Sequence, residues 1–193
     1  MTFKQKRERR GMKYNCFEYI NKMLEFSYSL VDSQVEYTTV SNILKQSERT
    51  KEKGIQGAIK QFLPPIDRED IASIFCIIHS LNYHLAYLQI SLFSTQQTQF
   101  SRLLKDVISY MQYTVSAELK ISVNDFADST ERMHFKLFST IQNERLILSR
   151  ESSTTSFNTK NLIKNNFFDK IESIHEILHR LTNEFMRVMV KFS

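Results

Sequence analysis

Glycine and proline are scarce in this chain, with 3 Gly and 2 Pro among 193 residues, against roughly 7% and 5% in average usage. Sheet-based folds reverse direction every few residues and need turn formers to do it. The shortage therefore excludes a β-sandwich or an α/β enzyme with a sheet-based active site, and leaves a few long helices with short connections. Cysteine is nearly absent too. Cys16 and Cys76 follow no metal or redox spacing, so both are expected to be free, buried thiols of a reducing compartment. No apolar export segment follows the basic N-terminus, which predicts a cytoplasmic location.

Long apolar runs are missing as well. The longest, Ile74 to Ile78, is interrupted by Cys76 and stopped by His79, so the chain is not expected to span a membrane. It has no Gly-rich phosphate loop, no helix-turn-helix signature and no aromatic–basic platform for RNA, and no nucleic-acid partner is expected.

Apolar residues make up 41% of the chain, enough for a core, which argues against global disorder. The net charge of +5 has a local source, because residues 4–13 hold six Lys/Arg against one Glu. The reading from sequence is a basic arm over residues 1–12, expected as a solvated, disordered terminus, with peripheral contact to anionic membrane lipid or to nucleic acid as the alternative. A single bundle domain would follow over 13–193, with halves at 13–93 and 97–193.

Two segments carry heptad seams. Ile71, Ile74, Ile78, Leu81, Leu85, Leu88 and Leu92 are spaced alternately three and four apart. So are Phe167, Ile171, Ile174, Leu178, Leu181, Phe185, Val188 and Phe192. Each stripe reads as one long helix packed at a shallow angle. A less regular third stripe is Phe126, Met133, Leu137, Ile141 and Leu148. The fold class is all-α, an antiparallel bundle of about six long helices at roughly 13–32, 36–62, 67–93, 97–119, 122–150 and 159–192. Glu151 to Thr159 is the clearest loop, because its Ser, Thr and Asn side chains compete with helical hydrogen bonds. Gly54 and Gly57 fall inside helix 2, where they either allow a close helix approach or mark a kink.

The most specific string is Phe62-Leu63-Pro64-Pro65-Ile66-Asp67-Arg68-Glu69-Asp70-Ile71. The prolines cannot continue helix 2. Asp67 can cap helix 3, and Glu69 and Asp70 place negative charge at the positive end of its dipole. A well-made joint explains all of these features.

The string also resembles the one between helices 2 and 3 of the PhoU-like family of Pit-accessory, phosphate-transport-regulator proteins. Only Pro64 departs, where the family usually has Thr. Leu162-Ile163-Lys164 opens the last helix as in that family. The resemblance implies two three-helix halves and a non-enzymatic regulatory role beside a membrane phosphate-type transporter or a signalling protein. A homo-oligomer is expected. It also implies acidic i, i+4 pairs that bind metal on the bundle surface. Carried over, helix 2 offers Leu44 and Glu48, helix 3 His79 and Tyr83, helix 5 Asn124 and Asp128, and helix 6 Glu172 and Glu176. The first half has lost most of its carboxylates, while the second keeps three of four. The heptads put His79 and Tyr83, and Glu172 and Glu176, on outward faces, one turn apart. His175 and His179 lie beside the latter pair, and oxygen and imidazole ligands together suit Zn, Fe, Mn or Ni. The expected metal ligands are Asp128, Glu172, Glu176 and His179, and a bland solvated face is the competing reading.

The histidines of helices 5 and 6 also fall in three sharper patterns. His175-Glu176-Ile177-Leu178-His179 matches HExxH, but zincins need a third ligand downstream and an edge strand, and only 14 residues follow His179. Glu131-x-x-His134 and Glu176-x-x-His179 are the pairs used by di-iron bundles, yet helix 3 lacks a Glu after Glu69. That leaves a metal-dependent enzyme as the alternative, and a scaffold with decayed metal sites as a third reading. His84, beside the first seam, reads as a packed or hydrogen-bonded side chain.

Overall fold

The computed structural model describes residues 3–31, 36–60, 65–91, 97–117, 121–152 and 159–192. They form six helices: α1 (Phe3–Val31), α2 (Tyr37–Lys60), α3 (Pro65–Ser91), α4 (Gln97–Ser116), α5 (Val123–Ser152) and α6 (Thr159–Phe192). No strand occurs among the described residues. The all-α bundle read from the heptads is the observed fold.

The boundaries differ at three points. α1 starts at Phe3, so the basic segment is helical backbone. α3 starts at Pro65, a first-turn position that suits a residue without an N–H. Asp67 therefore sits inside the first turn rather than ahead of it, and its side chain lies outside the described residues, as does the joint at 61–64. α5 runs through Glu151 and Ser152 into the expected loop, and 153–158 lie outside the described residues.

α1, α2 and α3 pack on one another as one half. α1 also packs on α4 and α3 on α6, which join the halves, and α5 packs on both α4 and α6. Cross-helix contacts give the directions. Gly54 meets Phe75 while Ser47 meets Asn82, so α2 and α3 are antiparallel. Asp70 at the start of α3 meets Arg187 near the end of α6. α4 and α6 touch through Phe100, whose ring lies 5.7 Å from Phe167 and 6.1 Å from Phe168.

The seams are buried from Ile71 to Leu88 and from Ile171 to Val188, with Ile78, Leu81, Leu85, Leu178, Leu181 and Phe185 fully removed from solvent, and Phe167 is half-buried at the start of the second. The stretch Arg68–Leu88 has a mean hydropathy of 1.3 and is long and apolar enough to cross a membrane, but 56% of it is buried in the bundle. It is the central helix, in contact with α1, α2 and α6. Cys16 is buried, as expected, and burial pushes its thiol up to about 12. Cys76 is exposed, against expectation, because it falls at the outward f position of the α3 heptad. His84 donates to the Ser80 carbonyl at 2.8 Å.

Polar side chains set the register inside the first half. Buried Asn82 donates to Ser47 at 2.9 Å and accepts from Ser27 at 2.5 Å. Such a satisfied network specifies one alignment of α1, α2 and α3.

Gly54 settles its role. A Cβ there would lie 2.3 to 2.8 Å from ring atoms of the buried Phe75, so the residue allows a close approach of α2 to α3. A Cβ at Gly57 would meet nothing within 4 Å. Gly54→Ala should destabilise by ~1–2 kcal/mol, overpacking outweighing helix propensity. Gly57→Ala should stabilise by ~0.5–1 kcal/mol. Urea denaturation of the two variants checks the opposite signs.

Candidate functional site

The sequence-derived metal ligands are not gathered by the fold. Asp128 is exposed, and its backbone carbonyl accepts from Arg132. Glu172 is half-buried, with its carboxylate 2.7 Å from Arg145 of α5. Arg145 also holds Asp169 at 2.7 Å. An acidic group neutralised by a guanidinium has less negative charge to offer a cation. Glu176 is exposed, and Asn124 is exposed on the first turn of α5. Among the described residues, no group of three or more His, Cys, Asp or Glu side chains is placed to hold a metal ion.

In the first half, Glu48 and His79 do meet, Glu48 Oε2 lying 2.6 Å from His79 Nε2. Ser47 Oγ is 3.3 Å from His79 Nδ1. The order Ser–His–Glu is that of a nucleophile, base and orienting acid. Ser47, however, is fully buried and already accepts from Asn82, so its hydroxyl faces no substrate space. Leu44 packs against the core, and Tyr83 is exposed, donating to Tyr87 at 3.0 Å.

What the fold does bring together is three imidazoles. His134 comes from α5, and His175 and His179 come from α6, one turn apart. Ring centroids are 5.2 Å apart for His134–His175, 5.2 Å for His134–His179 and 6.5 Å for His175–His179. They line a groove of about 410 Å³ between α5 and α6, with Thr130, Glu131, Phe135, Phe138, Thr182, Asn183 and Met186 among its walls. His134 is only 5% exposed. Its Nε2 lies 2.9 Å from Thr182 Oγ1, and its Nδ1 is buried without a hydrogen-bond partner. His175 Nε2 is likewise buried and unpartnered. His179 is exposed, with Asn183 Nδ2 at 3.3 Å from Nδ1.

Burial is the first reason His134 and His175 resist charge. It pushes His134 down to about 4, assisted by the proximity of His175 and His179. His175 is lowered by burial and then by His179, against a bond to the His134 backbone and the charges of Glu176 and Glu172. Both rings are therefore neutral at pH 7, the state in which an imidazole can coordinate or accept.

Sequence reasoning named His179 and noted His175, but held His134 only as half of a Glu-x-x-His pair. A third imidazole for the HExxH string comes from upstream, on a neighbouring helix, where the string gives no hint of it. Compared with models of known protein families and with curated proteins, the chain matches none.

Proposed function

We propose that this chain is a non-enzymatic regulatory or accessory protein of the PhoU-like type, working by binding through its α5–α6 face. One observation carries this reading: apolar side chains point outward beside the histidine groove. Phe135 is 71% exposed and Phe138 43%, with Leu146 and Ile147 exposed further along α5. Large apolar groups held in water along one helix face mark a surface that meets something. The Phe62–Ile71 string supports the choice of type, and the proposed partner is a membrane phosphate-type transporter or signalling protein at its cytoplasmic side. Self-association through the same strip would give the expected homo-oligomer.

The test is uptake of labelled phosphate by cells of the source organism with the gene deleted and then restored. Deletion is expected to change the uptake rate or its response to external phosphate, and restoration to reverse it. A chain carrying Phe135→Ser with Phe138→Ser should fail to restore. Identical uptake in all strains would contradict the reading.

The second reading is a metal-dependent enzyme of di-iron type. It is favoured by the approach of His134 to His179, the histidines of the two Glu-x-x-His pairs. Glu131 and Glu176, however, are exposed rather than inward. Oxygen consumption or phosphatase turnover by iron-loaded protein would favour this reading over the first.

A further inference from the structure

The groups left without partners in the groove are ring nitrogens, and their neighbours determine which carry hydrogen. Thr182 has a single hydroxyl proton, which it donates to the Leu178 carbonyl at 3.0 Å. Its oxygen therefore accepts from His134 Nε2–H at 2.9 Å. A neutral imidazole carries one N–H, so His134 Nδ1 is a bare lone pair, buried and unpartnered. On the next ring, His175 Nε2 is likewise buried without a hydrogen-bond partner. A buried polar atom left unsatisfied opposes folding, and here two such atoms sit on neighbouring rings.

We propose that His134 Nδ1, His175 Nε2 and His179 form a binding site for a divalent transition metal of the imidazole-preferring class, such as zinc. Metal–nitrogen bonds of about 2 Å place two imidazole centroids about 5 Å apart around a tetrahedral ion. His134 already stands 5.2 Å from each of the other rings. His175 and His179 are wider apart at 6.5 Å, and no three donors among the described residues yet surround one point. The site is thus two buried, unpartnered nitrogens on rings 5.2 Å apart and a third ligand that closes. His179 is the exposed ring of the three. Its Nδ1 faces the Asn183 amide. Rotating that amide by half a turn lets Oδ1 accept Nδ1–H and leaves Nε2 bare for the metal, the usual support for a ligating histidine. Thr182 already gives His134 the same support. The groove leaves a fourth position for water or a partner's ligand.

The inference does not depend on the regulatory reading, which stands or falls on phosphate uptake. Its test is Zn²⁺ titration against a chromophoric chelator at pH 7.5, with Co²⁺ absorption spectra to report nitrogen coordination. The parent is expected to bind one ion per chain. His175→Ala with His179→Ala, a half-buried and an exposed position on the groove wall, should weaken binding by more than about 100-fold, beyond the effect of a supporting residue. Asn183→Ala should weaken it about 10-fold. Glu172→Gln with Glu176→Gln should bind as the parent does. Far-ultraviolet circular dichroism confirms that each variant is folded. Loss of binding in the Glu variant, undiminished binding in the double His variant, or no stoichiometric ion in the parent would each overturn the site.

Discussion

Arg187→Ala combined with Lys191→Ala is expected to cost about 3 kcal/mol, because it strands a buried carboxylate. Asp70 is 4% exposed at the start of α3. Arg187 bonds to its Oδ1 at 2.6 Å, and Lys191 to its Oδ2. The two cations are half-exposed and one-third exposed. That asymmetry sets the order of effects. Losing Asp70 frees cations that can turn to water, so Asp70→Asn should cost only about 1–2 kcal/mol. Losing both cations leaves an uncompensated charge in the interior. For a chain of this size, about 3 kcal/mol corresponds to a fall in Tm of about 6–12 °C. Thermal unfolding of the three proteins would contradict this account if Asp70→Asn proved the more damaging change.

Acid should destabilise the protein through His134. The unfolded imidazole titrates near 6.5, whereas the folded one is held at about 4. The unfolded state therefore binds the extra proton first. Stability is flat above about pH 6.5, falls as pH drops, and stops falling from this cause below about pH 4. The whole loss is about 3 kcal/mol, of which about 2 kcal/mol is reached by pH 5. His175, lowered for the same reason, acts in the same direction. Glu131 and His179 also line the groove, and Glu172 and Glu176 oppose the shift of His175. Urea unfolding at pH 7.5 and pH 5 should show a steep loss in the parent and a shallower one in His134→Gln. Equal losses in the two proteins would remove His134 from the account.

The parts of this architecture that could be read from sequence are those where apolar residues alone mark the inward face. α3 and α6 keep an unbroken alternation of three and four, and every described seam residue from Ile171 to Val188 is buried. α5 is different. Between Phe126 and Leu137 its inward positions are Thr130 and His134, both buried, whereas an apolar-only reading selects the half-buried Met133. That slip of one residue turns His134 outward and dissolves the histidine cluster. Admitting polar side chains to the seam would have given Phe126, Thr130, His134, Leu137 and Ile141, spaced four, four, three and four apart.

Pairings between distant elements were not legible. Asp70 reads locally as a charge favouring a helix N-terminus, but its partner Arg187 lies 117 residues away. Glu172 reads as an outward metal ligand, and Arg145, placed opposite it by the packing of α5 on α6, cannot be inferred from the spacing of either helix.

His134 and His175 are neutral rings with buried, unpartnered nitrogens, gathered with His179 between α5 and α6. Long-range ¹H–¹⁵N correlation of the histidine rings tests this most directly, recorded at pH 7 and pH 5. The account predicts His134 as a neutral ring protonated at Nε2, with a free Nδ1 signal, at both pH values. A His134 ring that is charged at pH 5, or protonated at Nδ1 at pH 7, would contradict it.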